Sequence, residues 1–130
     1  MPRVRFGDVH GLHNFIDDIA SYCVAARFES DLVVENNYFR NSKNPHNIED
    51  KGKGIRDPEL VAYGNVYDNS SGAKVTGGIA FNPELFYTYQ PDDALLLPAK
   101  VMNGAGLFDD PNNLAPEAMD DILLLNPSSN

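Results

Sequence analysis

Arginine is the residue type in this chain whose placement most directly suggests chemistry. Arg3 and Arg5 stand two residues apart near the start, in a segment that reads as strand, so both side chains lie on one face. Two guanidinium forks on one face suit a carboxylate ligand, because each fork can give two parallel N–H bonds to the two carboxylate oxygens. The alternative for both is a plain surface arginine. Arg27 has a local alternative of its own, a salt bridge to Glu29 or Asp31. His10 and His13 have the spacing of metal ligands on a helix, but on a strand that spacing puts them on opposite faces. His46 falls in a loop-like stretch and is expected to be solvated. The acidic pairs Asp17-Asp18, Asp68-Asn69 and Asp109-Asp110 offer oxygen ligands without the regular spacing of an EF-hand loop, and read as solvated turn residues. Cys23, flanked by Tyr22, Val24 and Ala25, reads as an inert core thiol. No residue is assigned as catalytic or as a metal ligand.

The elements that position these residues come from a repeat. Val9 to Asp18, Leu32 to Asn41 and Leu60 to Asn69 align. Each has an aliphatic residue five before an Asn, two large apolar residues after it, and Asp or Asn at the end. The Asn positions are Asn14, Asn37 and Asn65, steps of 23 and then 28 residues. Such steps are too short for a helix pair, and the units are rich in β-branched and aromatic residues. Each unit therefore reads as one strand followed by a turn. One strand per coil, stacked in parallel, makes a right-handed parallel β-helix of about three coils, in which neighbouring coils supply each other's core. The recurring Asn has two readings: an inward amide ladder from coil to coil, or a simple Asx-turn at a strand end.

Length and composition agree with one all-β domain. The chain has 130 residues, 42% hydrophobic and 22% charged. A formal charge of −9 argues against nucleic acid or an anionic membrane surface as a partner. A single cysteine excludes an intramolecular disulfide framework and a cysteine-based structural zinc site. Apolar runs such as Leu95-Leu96-Leu97 fall far short of the about 18 residues a membrane helix needs. Basic Arg3 and Arg5 are followed by no apolar segment, so no cleavable secretion signal is expected. Residues 1–78 are expected to carry the coils and residues 79–130 a C-terminal closure and tail. The stretch Asn41 to Pro58 is expected to project as a mobile loop. A helix is expected from about Asp92 to Asn103 with Gly104 as its stop, although Pro98 falls inside it. A second, amphipathic helix is expected from Ala115 or Pro116 to Leu125, covering an open end of the stack.

The repeat has specific company. Pro2-Arg3-Val4-Arg5-Phe6-Gly7-Asp8-Val9-His10 resembles the PRVRxGxVH segment of the pectate lyase family, right-handed parallel β-helix enzymes that cleave polygalacturonate. Ser21-Tyr22 through Arg27, then Val34-Glu35-Asn36-Asn37-Tyr38-Phe39 and Lys43-Asn44-Pro45, look like that family's next two coils. Gly64-Asn65 with Asp68-Asn69 matches the coil after. Tyr87-Thr88-Tyr89 with Ala94, Val101 and Gly104-Ala105-Gly106 is similar to its C-terminal closure, so the likeness spans about residues 1 to 106.

The resemblance implies a calcium-dependent β-elimination on polygalacturonate, in a secreted protein. It implies that Arg5 and Arg27, with Arg3 beside them, contact substrate, and that His10 of the Val9-His10 pair is structural. The family's catalytic arginine stands just before the position matched by Met1, and its calcium-binding aspartates lie further upstream. The chain is therefore expected to be the C-terminal part of such an enzyme, with its own catalysis and calcium binding in question. A homo-oligomer, dimer or trimer, is expected to share the core exposed at the first coil. The alternative to a lyase is an inactive, self-assembling binding or structural module.

Overall fold

The computed structural model describes residues 2–104. Its strands are short: β1 (Arg3–Arg5), β2 (Asp8–Leu12), β3 (Phe15–Asp17), β4 (Val24–Arg27), β5 (Asp31–Glu35), β6 (Tyr38–Arg40), β7 (His46–Ile48), β8 (Glu59–Tyr63) and β9 (Val66–Asp68). They form three parallel sheets, β1-β4-β7, β2-β5-β8 and β3-β6-β9. The chain thus visits the three sheets in a fixed order, three times, and each strand pairs with the one three places later. Three successive strands are called a tier below.

The columns aligned in sequence are the columns paired in space. Val9 faces Leu32 and Leu32 faces Leu60, while Ile16 faces Phe39 and Phe39 faces Tyr67. Each unit was expected to be one strand and a turn, but it is two strands with a corner between them. The corner is a left-handed backbone position in every tier: His13 (φ 58°), Asn36 (φ 48°) and Gly64 (φ 67°). A residue in that region cannot continue a strand, and Asn and Gly tolerate it best. At Gly64 a side chain is also excluded by space, since a Cβ there would collide with the Asn36 amide. A second left-handed column, Asp18, Asn41 and Asn69, ends the third sheet.

Just past the first corner column, the three Asn side chains form the ladder. Asn37 Oδ1 accepts from the Asn14 backbone N–H (2.8 Å) and side-chain Nδ2 (3.0 Å). Asn65 Oδ1 repeats the pattern toward Asn37, at 2.9 and 3.1 Å. The ladder reading therefore holds over the simple turn.

Inside the three sheets lie Leu32, Val34, Phe39 and Leu60, with Val24, Ala26 and Ile48 from the first sheet and Cys23 just before β4. Cys23 is buried as expected, and burial pushes its thiol pKa up. β5 is buried on both faces: Val33 points away from this core yet is 0% exposed. The residues after β9 explain it, because they return across the outer side of β2-β5-β8. This covered strand reads as an uninterrupted apolar run for that reason.

Two expectations about loops are corrected. The stretch Asn41 to Pro58 does not project as a whole, because its first part supplies β7, with Ser42, Pro45 and His46 buried. Only Lys51 to Asp57 is exposed throughout. His46 is not solvated. Its Nδ1–H donates to the Val75 carbonyl (2.9 Å), and its Nε2 accepts from the Tyr67 hydroxyl (2.8 Å). Burial pushes its pKa down, the Val75 carbonyl opposes, and Lys74 adds to the lowering. Its burial therefore favours the neutral ring, the form whose Nε2 can accept from Tyr67.

At the C-terminal end of the described residues, a helical turn at Ala94–Leu96 leads into helix α1, Leu97–Gly104. Asp93 caps the turn, its carboxylate accepting from Leu95 N–H at 3.0 Å. Pro98 sits in the first turn of α1, where a helix needs no donor, so it begins the helix instead of breaking it. The amphipathic helix expected up to Leu125, and Asp109-Asp110, lie outside the described residues.

Candidate functional site

β1 and β4 bring the three arginines onto one outer face. Arg5 lies directly opposite Arg27 in the register, and Arg3 is two residues back along β1. Like charges so placed repel unless something neutralises them. Glu49 and Asp50, just past the end of β7, do so. Arg27 Nε donates to Asp50 Oδ2 at 2.6 Å and lies 3.0 Å from Glu49 Oε2. Arg3 Nη2 reaches the same Glu49 oxygen at 2.7 Å. The bond from Arg27 holds the Asp50 carboxyl below the usual carboxylate range. Of the two carboxylates offered as alternative partners of Arg27, Asp31 is taken instead by Arg56, at 2.8 Å, which also reaches the Glu29 backbone carbonyl at 2.7 Å.

Arg5 differs from its neighbours. It is exposed, its guanidinium lies 5.2 Å from the centre of the Phe28 ring, and no carboxylate among the described residues pairs with it. The Phe28 ring is fixed in turn by stacking on Phe6, at 6.1 Å. An exposed cation held over a ring keeps its N–H fork free for an anionic ligand. Arg3 and Arg27 present forks already occupied by carboxylates. Glu49, shared between both and 27% exposed in its side chain, is the more accessible of those carboxylates; Asp50 is 5% exposed.

The histidines do not meet as metal ligands. Among the described residues no three His, Cys, Asp or Glu side chains gather closely enough to hold a metal ion. Asp17 is engaged by Arg40 through two bonds (2.9 and 2.6 Å), which lower its pKa, and Asp68 accepts from the Tyr38 hydroxyl at 2.8 Å.

A second polar cluster was not read from the sequence as a unit. His10 Nε2 meets Glu35 Oε2 at 2.8 Å, with both side chains nearly buried, 5% and 7% exposed. The same Glu35 oxygen accepts from the Tyr89 hydroxyl at 2.7 Å, and His10 Nδ1 is hydrogen-bonded to the Tyr87 hydroxyl. Burial and the Glu35 carboxylate push the Tyr89 pKa far up, so this phenol stays a donor. Two signals were available. A glutamate closes the apolar run of β5, and Tyr87 and Tyr89 are spaced to face one side. Their partners lie on strands 54 and 77 residues away in sequence.

No protein-family model matches the chain, and no curated protein matches it.

Proposed function

We propose that the chain is a right-handed parallel β-helix of pectate-lyase type that binds polygalacturonate through the outer face of β1 and β4. The fold supports this reading in its coarse form, three parallel sheets visited in a fixed order. The segments quoted above support it by resemblance. The single observation that carries it is Arg5: an exposed guanidinium over an aromatic ring, without a carboxylate partner among the described residues, beside two arginines already bridged by carboxylates. A galacturonate carboxylate fits the Arg5 fork, and the Phe28 and Phe6 rings form its apolar floor. The contribution assigned to these residues is binding. In the parent family, elimination breaks the C5–H and C4–O bonds of a uronate, with calcium neutralising the carboxylate. Calcium dependence here is an expectation from the resemblance, and no step is assigned to it.

Titration with oligogalacturonate tests the reading. Arg5→Ala is expected to weaken binding by about 1.5–3 kcal/mol, the scale of a hydrogen bond to a charged group, or roughly 10- to 100-fold in Kd. Arg3→Ala is expected to do less, since Arg3 is engaged by Glu49. Equal affinity of wild type and Arg5→Ala removes this face from the site. Ultraviolet detection of unsaturated product, with and without added calcium, then separates a lyase from a binding module.

A second reading, self-assembly, is favoured by a different observation. Among the described residues the outer edge of β1, β2 and β3 carries no paired strand, and a cavity of about 190 Å³ lined by Val9, Ile16, Val24, Leu32 and Val34 lies at this tier. Unpaired strand edges over apolar side chains are pairing templates. We therefore propose a dimer or trimer joined at this edge. Light scattering is expected to give a multiple of 14.3 kDa. A stable monomer at micromolar concentration rejects it.

A further inference from the structure

The residues that cross the outer side of β2-β5-β8 are held at two points by histidine. At one, His10 bonds Tyr87 while Glu35 takes both His10 and Tyr89. At the other, the backbone N–H of Asp92 donates to His13 Nε2 at 2.7 Å, and Asn36 Nδ2 donates to the Asp92 carbonyl, also at 2.7 Å. A backbone amide nitrogen only donates, so His13 Nε2 must be the acceptor and its ring must carry no proton there. His13 therefore works only as the neutral Nδ1–H tautomer. We propose that residues 80–93 form a strap latched at Asp92 by neutral His13, and that acid unlatches this end.

The two histidines respond differently to acid, which makes the device directional. A protonated His10 still donates to Glu35 and to the Tyr87 oxygen, so that anchor keeps two bonds in either state. A protonated His13 turns an N–H toward the Asp92 N–H, replacing a bond with a donor–donor clash. The charged groups at the latch do not restore it. The Asp92 carboxylate is drawn toward Lys100 of α1 at 3.4 Å, and Asp93 is engaged in capping the turn that follows. Around the other anchor stand Glu35, Tyr87, Tyr89 and Tyr63, and Asp8 lines the adjoining cleft. His13 itself stands at a left-handed corner position, in the same column as Asn36, whose side chain holds the Asp92 carbonyl. The latch bond thus exists only while His13 Nε2 carries no proton and is lost when that nitrogen takes one.

Hydrogen exchange of the full chain, followed by NMR and corrected for intrinsic rates, tests this at about pH 7.5 and about pH 5. Protection of the Asp92 amide is expected to fall on the order of tenfold or more at the lower pH, while amides of β5 paired within their sheet hold. In His13→Asn, which suits the left-handed position but does not titrate, Asp92 protection is expected to be the same at both pH values. His10→Gln is expected to keep the wild-type response. Equal protection in the wild type at both pH values overturns the latch, as does a fall that survives His13→Asn or vanishes in His10→Gln. The nitrogen chemical shifts of His13 in the wild type at the higher pH give an independent reading. An Nδ1–H tautomer supports the proposal, and an Nε2–H tautomer overturns it.

Discussion

Asn37→Ala is expected to cost about 3–5 kcal/mol of folding stability, a large part of the 5–15 kcal/mol that holds a domain together. The reason is the number of groups left without partners. Asn37 is 1% exposed, and its amide oxygen satisfies two Asn14 donors while its amide nitrogen donates to the Gly11 carbonyl (2.8 Å) and to Asn65 Oδ1. Each buried polar group stranded by the truncation costs about 1–3 kcal/mol, and at least two are stranded. Asn14 serves as control. It is exposed and occupies the end of the ladder, so water replaces much of what Asn14→Ala removes, and the loss is expected to be about 1 kcal/mol. Urea denaturation of both variants measures the difference. Similar small losses in the two would mean that the ladder contributes no more than ordinary turn bonds.

This ladder was legible in the sequence, and the reason is physical. When strands stack in parallel and in register, successive tiers repeat the same hydrogen-bonding position, so an amide that bridges tiers at Asn37 recurs at Asn14 and Asn65. The residues of the second and third sheets were aligned through those columns, although each unit was read as one strand and a turn. Of the first sheet only the segment of Arg3 and Arg5 was read as strand. β1, β4 and β7 read Arg-Val-Arg, Val-Ala-Ala-Arg and His-Asn-Ile, short strands that share through all three tiers only the apolar column Val4, Ala26 and Ile48, too little to align by eye. Missing β7 had a direct consequence. His46 was placed in a loop, and the carboxylates that follow β7, Glu49 and Asp50, were not seen as partners of Arg3 and Arg27.

The arginine face was legible as far as alternation along a strand can carry it. That Arg3 and Arg5 share a face follows from their spacing; that Arg5, unlike Arg3 and Arg27, meets no carboxylate among the described residues depends on where β7 ends, which no local pattern reports. The strap was less legible still. His10, His13 and Glu35 meet residues 54 to 79 positions later, across a segment with no periodicity of its own. Nothing in their neighbours announces these contacts except a charged residue at the end of an apolar strand and a histidine at a left-handed corner.

Phe39→Ala is expected to be as damaging as loss of the ladder, by a different route. Phe39 is 0% exposed at the centre of β6, between Ile16 on one side and Tyr67 on the other. Its ring stacks on Tyr67 with centroids 5.4 Å apart and planes 11° from parallel. Truncation removes the transfer free energy of the ring and leaves a cavity that the surrounding sheets, fixed by their own hydrogen bonds, cannot fill, about 3–5 kcal/mol in all. The loss is expected toward the upper end, because the Tyr67 ring then loses its support while its hydroxyl is the donor that His46 Nε2 requires. Phe39→Leu keeps most of the volume and is expected to cost less than about 1.5 kcal/mol. Chemical denaturation distinguishes packing from mere hydrophobicity here, since Leu and Phe differ little in the second. If Phe39→Leu proved as costly as Phe39→Ala, the stacking on Tyr67, and through it the hydrogen bond to His46, would be what the position supplies.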